Sequence, residues 1–144
     1  MNINYFYQGK NQNVEFETII NSLVPAIAKI IELPSIIDVC IYDLGKSVYG
    51  GIDLIYPNRL GINYNLPYDA LPIIITHELI HVHQKYTKQL KITRKKEFYW
   101  HGVFITSKDV ESISYEEYIN LPWELDANNK QQKILSQALL SLKA

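Results

Sequence analysis

The stretch "LPIIITHELIHV", residues 71–82, sets the tightest limit on how this chain can fold. It is apolar almost all round, and a helix of that kind belongs inside a core. Yet it carries His77, Glu78 and His81. Burying two imidazoles and a carboxylate without partners costs several kcal/mol, so the fold must supply something that compensates them. His77 and His81 are four residues apart and project from one face of a helix, close enough for both rings to reach one metal ion. Neutral imidazole suits Zn2+. Glu78 lies about 100° round the helix from His77, too close in sequence to be the natural third ligand. It is well placed to act as a general base toward water at such a site. The competing expectation is two satisfied core histidines beside a surface carboxylate, and it leaves the burial cost unmet.

The rest of the chain reads as one domain, residues 1–144, of 47% hydrophobic and 20% charged composition, which is that of a folded globular protein. Residues 14–33 place apolar side chains at helical steps, with Pro25 expected to kink or divide the helix. "IIDVCIYDLG" alternates like a half-buried strand, and "VYGGIDLIY" and "LGINYN" read as two more strands joined at "PNR". Asp69 is a candidate cap for the helix that carries the histidines. "EFYWHGVFIT" reads as a hairpin around His101 and Gly102, and "SYEE" is a capping box that opens a short helix at Ser114. A last helix starts near "NLPWEL" and runs to about Leu142, with Leu125, Ile134, Leu135, Ala138, Leu139 and Leu142 as its apolar stripe.

A catalytic metal site needs a third protein ligand. The candidates are His83, His101, Asp109, Glu111, Glu116, Glu117, Glu124 and Asp126. His83 sits about 200° round from His81 and points away. From Glu124, one helical face continues through Ala127, Asn128, Gln131, Leu135, Ala138 and Leu142, mostly apolar or small, which turns that carboxylate inward. Asp126 and His101 stay open as competitors. Among the 11 tyrosines, Tyr118 is the candidate donor to a developing oxyanion. "YGGIDLIY" can be read as an edge that holds an extended peptide or as a plain interior strand.

"HELIH" followed by "PWELDAN" resembles the zincin metallopeptidases of the glutamate-ligand branch, and small phage and prophage-associated metallopeptidases in which Glu-x-x-Ala-Asn recurs on the later helix. The resemblance implies that Glu124 is the third zinc ligand and that Asn128 orients His77 from behind. It implies an α+β minimal zincin-like domain, with a small mostly antiparallel sheet packed against an N-terminal helix, the His77–His81 helix and a C-terminal helix. It also implies zinc-dependent hydrolysis of a peptide bond in a peptide or protein substrate. Two features depart from the pattern: 42 residues separate His81 from Glu124, and Asn128 stands where Asp is more familiar.

The alternative is a zinc-binding structural or assembly component, for instance of a phage particle, that meets a protein partner and cuts nothing. A metal-free regulator is a lesser possibility. With a net charge of −1 and one basic cluster, "KITRKKE" at 91–97, read as a solvated loop, no nucleic-acid partner is expected. No apolar run suits a membrane span. Cys40 is the only cysteine, which excludes an intrachain disulfide. With no signal-peptide pattern at the start, the expected location is the cytoplasm, or a virion for a phage-encoded protein.

Overall fold

The computed structural model describes residues 1–9, 11–43, 50–52, 56–108 and 112–143, with only the backbone described at 50–52. The chain begins with β1 (Asn2–Gln8), which alternates the exposed Asn2, Asn4, Phe6 and Gln8 with Ile3, Tyr5 and Tyr7 turned inward. The next element, α1 (Val14–Ala28), is capped by Asn13, whose side chain accepts from the Phe16 amide at 3.1 Å. Tyr5 donates to Asn21 Oδ1 at 2.7 Å and Tyr7 to Glu17 Oε2 at 2.6 Å, tying strand to helix through inward hydroxyls. Pro25 lies within α1 without dividing it, and the helix stops at Ala28 rather than Leu33.

Then come β2 (Ile36–Tyr42), β3 (Gly50–Ile52) and β4 (Arg59–Asn63). In β2 the alternation is as expected, with Ile37, Val39 and Ile41 fully buried. The sheet order is β1-β2-β4-β3, with β1, β2 and β4 mutually parallel and only the short edge strand β3 antiparallel. This overturns the expectation of a single small, mostly antiparallel sheet. The reason lies in the connections. Helix α1 is the crossover between β1 and β2, and a strand–helix–strand unit brings its strands back in parallel. An alternating strand pattern reports which face is buried but says nothing of strand direction.

Helix α2 (Leu71–Tyr86) has Ala70 at its N-cap with no side-chain cap bond, so Asp69 does not cap it, and Pro72 occupies the first turn. A second, separate sheet follows: β5 (Leu90–Ile92), β6 (Phe98–Trp100) and β7 (Val103–Thr106), antiparallel in that order. Here the expected hairpin is present, with His101 at φ 49° and Gly102 at φ 81°. Consecutive left-handed residues match the right-handed twist of two-residue hairpins. The "KITRKKE" segment is strand β5 followed by a turn, closed where the Glu97 amide donates to Thr93 Oγ1 at 3.1 Å, and not a loop throughout.

The capping box at Ser114 is formed, with Ser114 Oγ accepting from the Glu117 amide at 3.1 Å ahead of α3 (Tyr115–Ile119). Last comes α4 (Pro122–Lys143). Of its expected apolar stripe, Ile134, Leu135 and Ala138 are buried, whereas Leu125, Leu139 and Leu142 are exposed. The main core gathers the inner face of the first sheet with α1, α2 and α4. A smaller one holds Leu90, Phe98, Leu121 and Trp123, and joins the second sheet to the start of α4. Among the described residues no helix is long and apolar enough to cross a membrane.

The second core centres on Trp123, 2% exposed and stacked on Phe98 with ring centroids 5.3 Å apart. Trp123→Ala is expected to cost about 3–5 kcal/mol, read as a lower urea midpoint, with early loss of hydrogen-exchange protection in β5–β7.

Candidate metal centre

Helix α2 is held between the first sheet and α4, and its inward face presents His81 at 1% exposure and Glu78 at 6%. On α4, the first turn follows the anchored Trp123 and turns Glu124 into the same space, 2% exposed. The result is a cluster of His77, His81 and Glu124 whose ligand atoms all lie within 4.8 Å of one another, and which can hold a metal ion. His77 Nε2 is 3.1 Å from His81 Nε2 and 3.1 Å from Glu124 Oε1, while His81 Nε2 is 2.8 Å from Glu124 Oε2. Bonds of about 2.0–2.1 Å in tetrahedral array separate neighbouring ligand atoms by roughly 3.3 Å, close to this spacing.

The decisive detail lies behind the rings. His81 Nδ1 faces Gln84 Oε1 at 2.8 Å. The same Gln84 amide donates through Nε2 to the Trp123 carbonyl at 3.0 Å and to Asp126 Oδ2 at 2.9 Å. Both of those partners only accept, so the amide can point only this way, and its oxygen must receive a proton from His81 Nδ1. His77 Nδ1 faces Gln131 Oε1 at 2.7 Å, the contact that an Nδ1–H donor makes. With both Nδ1 atoms donating backward, neutral His77 and His81 aim the Nε2 lone pairs at each other and at a carboxylate. With both Nδ1 protons turned backward, the 2.8 Å approach of Glu124 Oε2 to His81 Nε2 has no proton to bridge it. Lone pairs facing lone pairs repel, and a cation at their meeting point removes the repulsion along every edge. The residues therefore fit a metal ion.

Without the ion, a proton is the substitute. Burial by itself would lower the His77 imidazole, but its bond to Glu124 and the nearby Glu78 charge raise it above the ordinary value. For Glu124 burial by itself would raise the carboxyl, and the bonds and charges of His77 and His81 overcome it, holding the group down to about 2. Glu78 behaves in the opposite way. Burial pushes its carboxyl up against the opposing pull of His81 and His77, and its Oε2 is buried with no hydrogen-bond partner. Tyr118 is half-buried on α3, and its hydroxyl is pushed up by burial and by the charges of Glu124 and Glu78. It stands beside both carboxylates.

The other sequence candidates lie elsewhere. His83 points away, with Nδ1 2.7 Å from the Glu32 carbonyl. His101 sits exposed on the hairpin turn with its ring against Trp100. Asp126 accepts from Gln84 and pairs with Lys130 at 2.7 Å. Glu116 and Glu117 are exposed, and Asp109 and Glu111 lie outside the described residues. Asn128 is also exposed, and the residue orienting His77 is Gln131, one turn further along the Glu124 face, in place of the Asn128 that the resemblance implies. Gln84, fully buried near the end of α2, is a functional residue that the sequence pattern does not single out, because the helix turns polar there.

Because Gln84 fixes the ring of His81 and also grips the start of α4, Gln84→Leu is expected to weaken metal affinity about 10–100-fold. Gln84→Glu, which keeps an acceptor for Nδ1 but loses the donor to Trp123 and Asp126, should fall between Leu and wild type. Titration with a competing chromophoric chelator measures both. Set against protein families, characterised proteins and solved structures, the chain matches none of them.

Proposed function

We propose that the chain is a zinc-dependent peptidase, with His77, His81 and Glu124 holding zinc and Glu78 as the general base. The observation that carries this reading is the buried Glu78 carboxylate, unpartnered at Oε2, in the turn that bears both imidazoles. A carboxylate serving structure alone would be paired or exposed. Zinc held by this donor set supplies Lewis acidity toward a peptide carbonyl oxygen and toward water.

Glu78 then has a definite task. As water attacks the carbonyl carbon, the Glu78 carboxylate takes its proton, and the same carboxyl passes a proton to the departing amine. Water and one peptide bond become a carboxylic acid and an amine. Desolvation makes this carboxylate a stronger base than one in water. Tyr118, whose hydroxyl stays protonated, contributes an O–H donor to the oxygen on which negative charge develops. Gln84 and Gln131 hold the rings in the tautomer that leaves Nε2 free.

A second reading is favoured by a different feature. The cluster sits where α2 meets α4, and Gln84 already bridges the same two helices. A metal there would pin the C-terminal helix in place, as a structural or assembly component would need.

The Glu78→Gln substitution separates the two. On the peptidase reading, hydrolysis of a mixed peptide library falls by about 100-fold or more, while zinc content stays near one per chain. If library cleavage is absent from the wild type, or unchanged in Glu78→Gln, the peptidase reading fails and the structural one stands.

A further inference from the structure

Charge is divided very unevenly along this chain. Residues 85–108 carry seven of its 14 Lys and Arg but only one of its 15 acidic residues, a formal charge of +6 against −7 for the remainder. Those residues run from the last turn of α2 through the second sheet. The antiparallel order β5-β6-β7 brings the turn at 93–97 and the end of β7 to the same end of that sheet. Arg94, Lys95, Lys96 and Lys108 therefore collect there, all exposed, and none of them forms an ion pair among the described residues. Beside them, on the outward face, Lys91, Tyr99 and Phe104 form one cross-strand row, with the Tyr99 and Phe104 rings 5.7 Å apart.

The free edge adds a second requirement. Among the described residues β7 is the last strand of its sheet, and its sequence "VFIT" has none of the charges or prolines that usually guard an open edge. Val103 and Phe104 are exposed there at 62% and 51%. The register slips by one residue at position 105, opposite Phe98 and Tyr99, and on either side of that bulge the edge offers backbone donors and acceptors, which another extended polypeptide matches and a phosphate backbone does not. The cations at its end select acidic side chains.

We propose that the second sheet is a docking surface for an extended acidic polypeptide segment, which adds as a fourth strand along β7 and sets its carboxylates against Arg94, Lys95, Lys96 and Lys108. The Phe98–Trp123 stack couples this sheet to the residue preceding Glu124, so a docked segment lies on the structural unit that carries the third ligand. As a way of bringing substrate to the centre, this rests on the peptidase reading; the binding itself does not.

The test uses the full chain carrying Glu78→Gln, which removes the proposed general base, and reads fluorescence anisotropy with a labelled peptide of alternating glutamate and valine. Binding should weaken roughly tenfold or more in Arg94→Glu/Lys95→Glu/Lys108→Glu, and should weaken with added salt. Metal content and the circular dichroism spectrum of that variant report whether it folds. N-methylation of alternate amides along one edge of the peptide, which leaves its charge intact, should also abolish binding. Equal affinity for the alternating lysine–valine peptide, indifference to the charge reversals in a folded variant, or equally tight binding of oligothymidylate would overturn the proposal. Retained binding of the N-methylated peptide would overturn strand addition. Loss of the peptidase reading through active Glu78→Gln would leave these binding results as they are.

Discussion

Two imidazole nitrogens and a carboxylate oxygen pair converge with their lone pairs facing inward, and much of the molecule is arranged to keep them there. Such a meeting is repulsive unless a cation or a proton occupies it. The backing hydrogen bonds make retreat difficult. Gln84 cannot turn its amide without losing the Trp123 carbonyl and Asp126, and while it stays, His81 keeps its proton on Nδ1. The site is a consequence of amide orientation as much as of the residues that would touch an ion.

The fold delivers these groups from two directions. Helix α2 buries Glu78, Leu79, Ile80, His81 and Val82 because the parallel strands, α1 and α4 enclose it, and that enclosure raises the Glu78 carboxyl and leaves its Oε2 without a partner. Glu124 arrives from a helix whose first turn is held by Trp123 against Phe98, within a small core separate from the main one. The antiparallel sheet thus has a task distinct from the parallel sheet: the first positions the histidine helix, and the second braces the end of α4 that bears the carboxylate.

The parts legible in the sequence were those that local patterns encode. The four-residue spacing of His77 and His81, the inward face running from Glu124, the Ser114–Glu117 box and the His101–Gly102 turn each depend on neighbours within a turn or two. Strand direction was not legible, because it depends on α1 acting as a crossover, and β1 was missed because Tyr5 and Tyr7 reach inward only by placing their hydroxyls on Glu17 and Asn21. Asn128 stands four residues from Glu124 and Gln131 seven, and both fall near one helical face. Only the approach of α2 to α4 decides which of them meets His77.

Tautomer assignment by long-range proton–nitrogen NMR on the two buried histidines tests this account most directly. The prediction is protonated Nδ1 and unprotonated Nε2 on both His77 and His81 in the metal-loaded protein, with both Nε2 resonances moving when the ion is removed. Protonated Nε2 on either ring with the ion present, or Nε2 shifts indifferent to its removal, would contradict it.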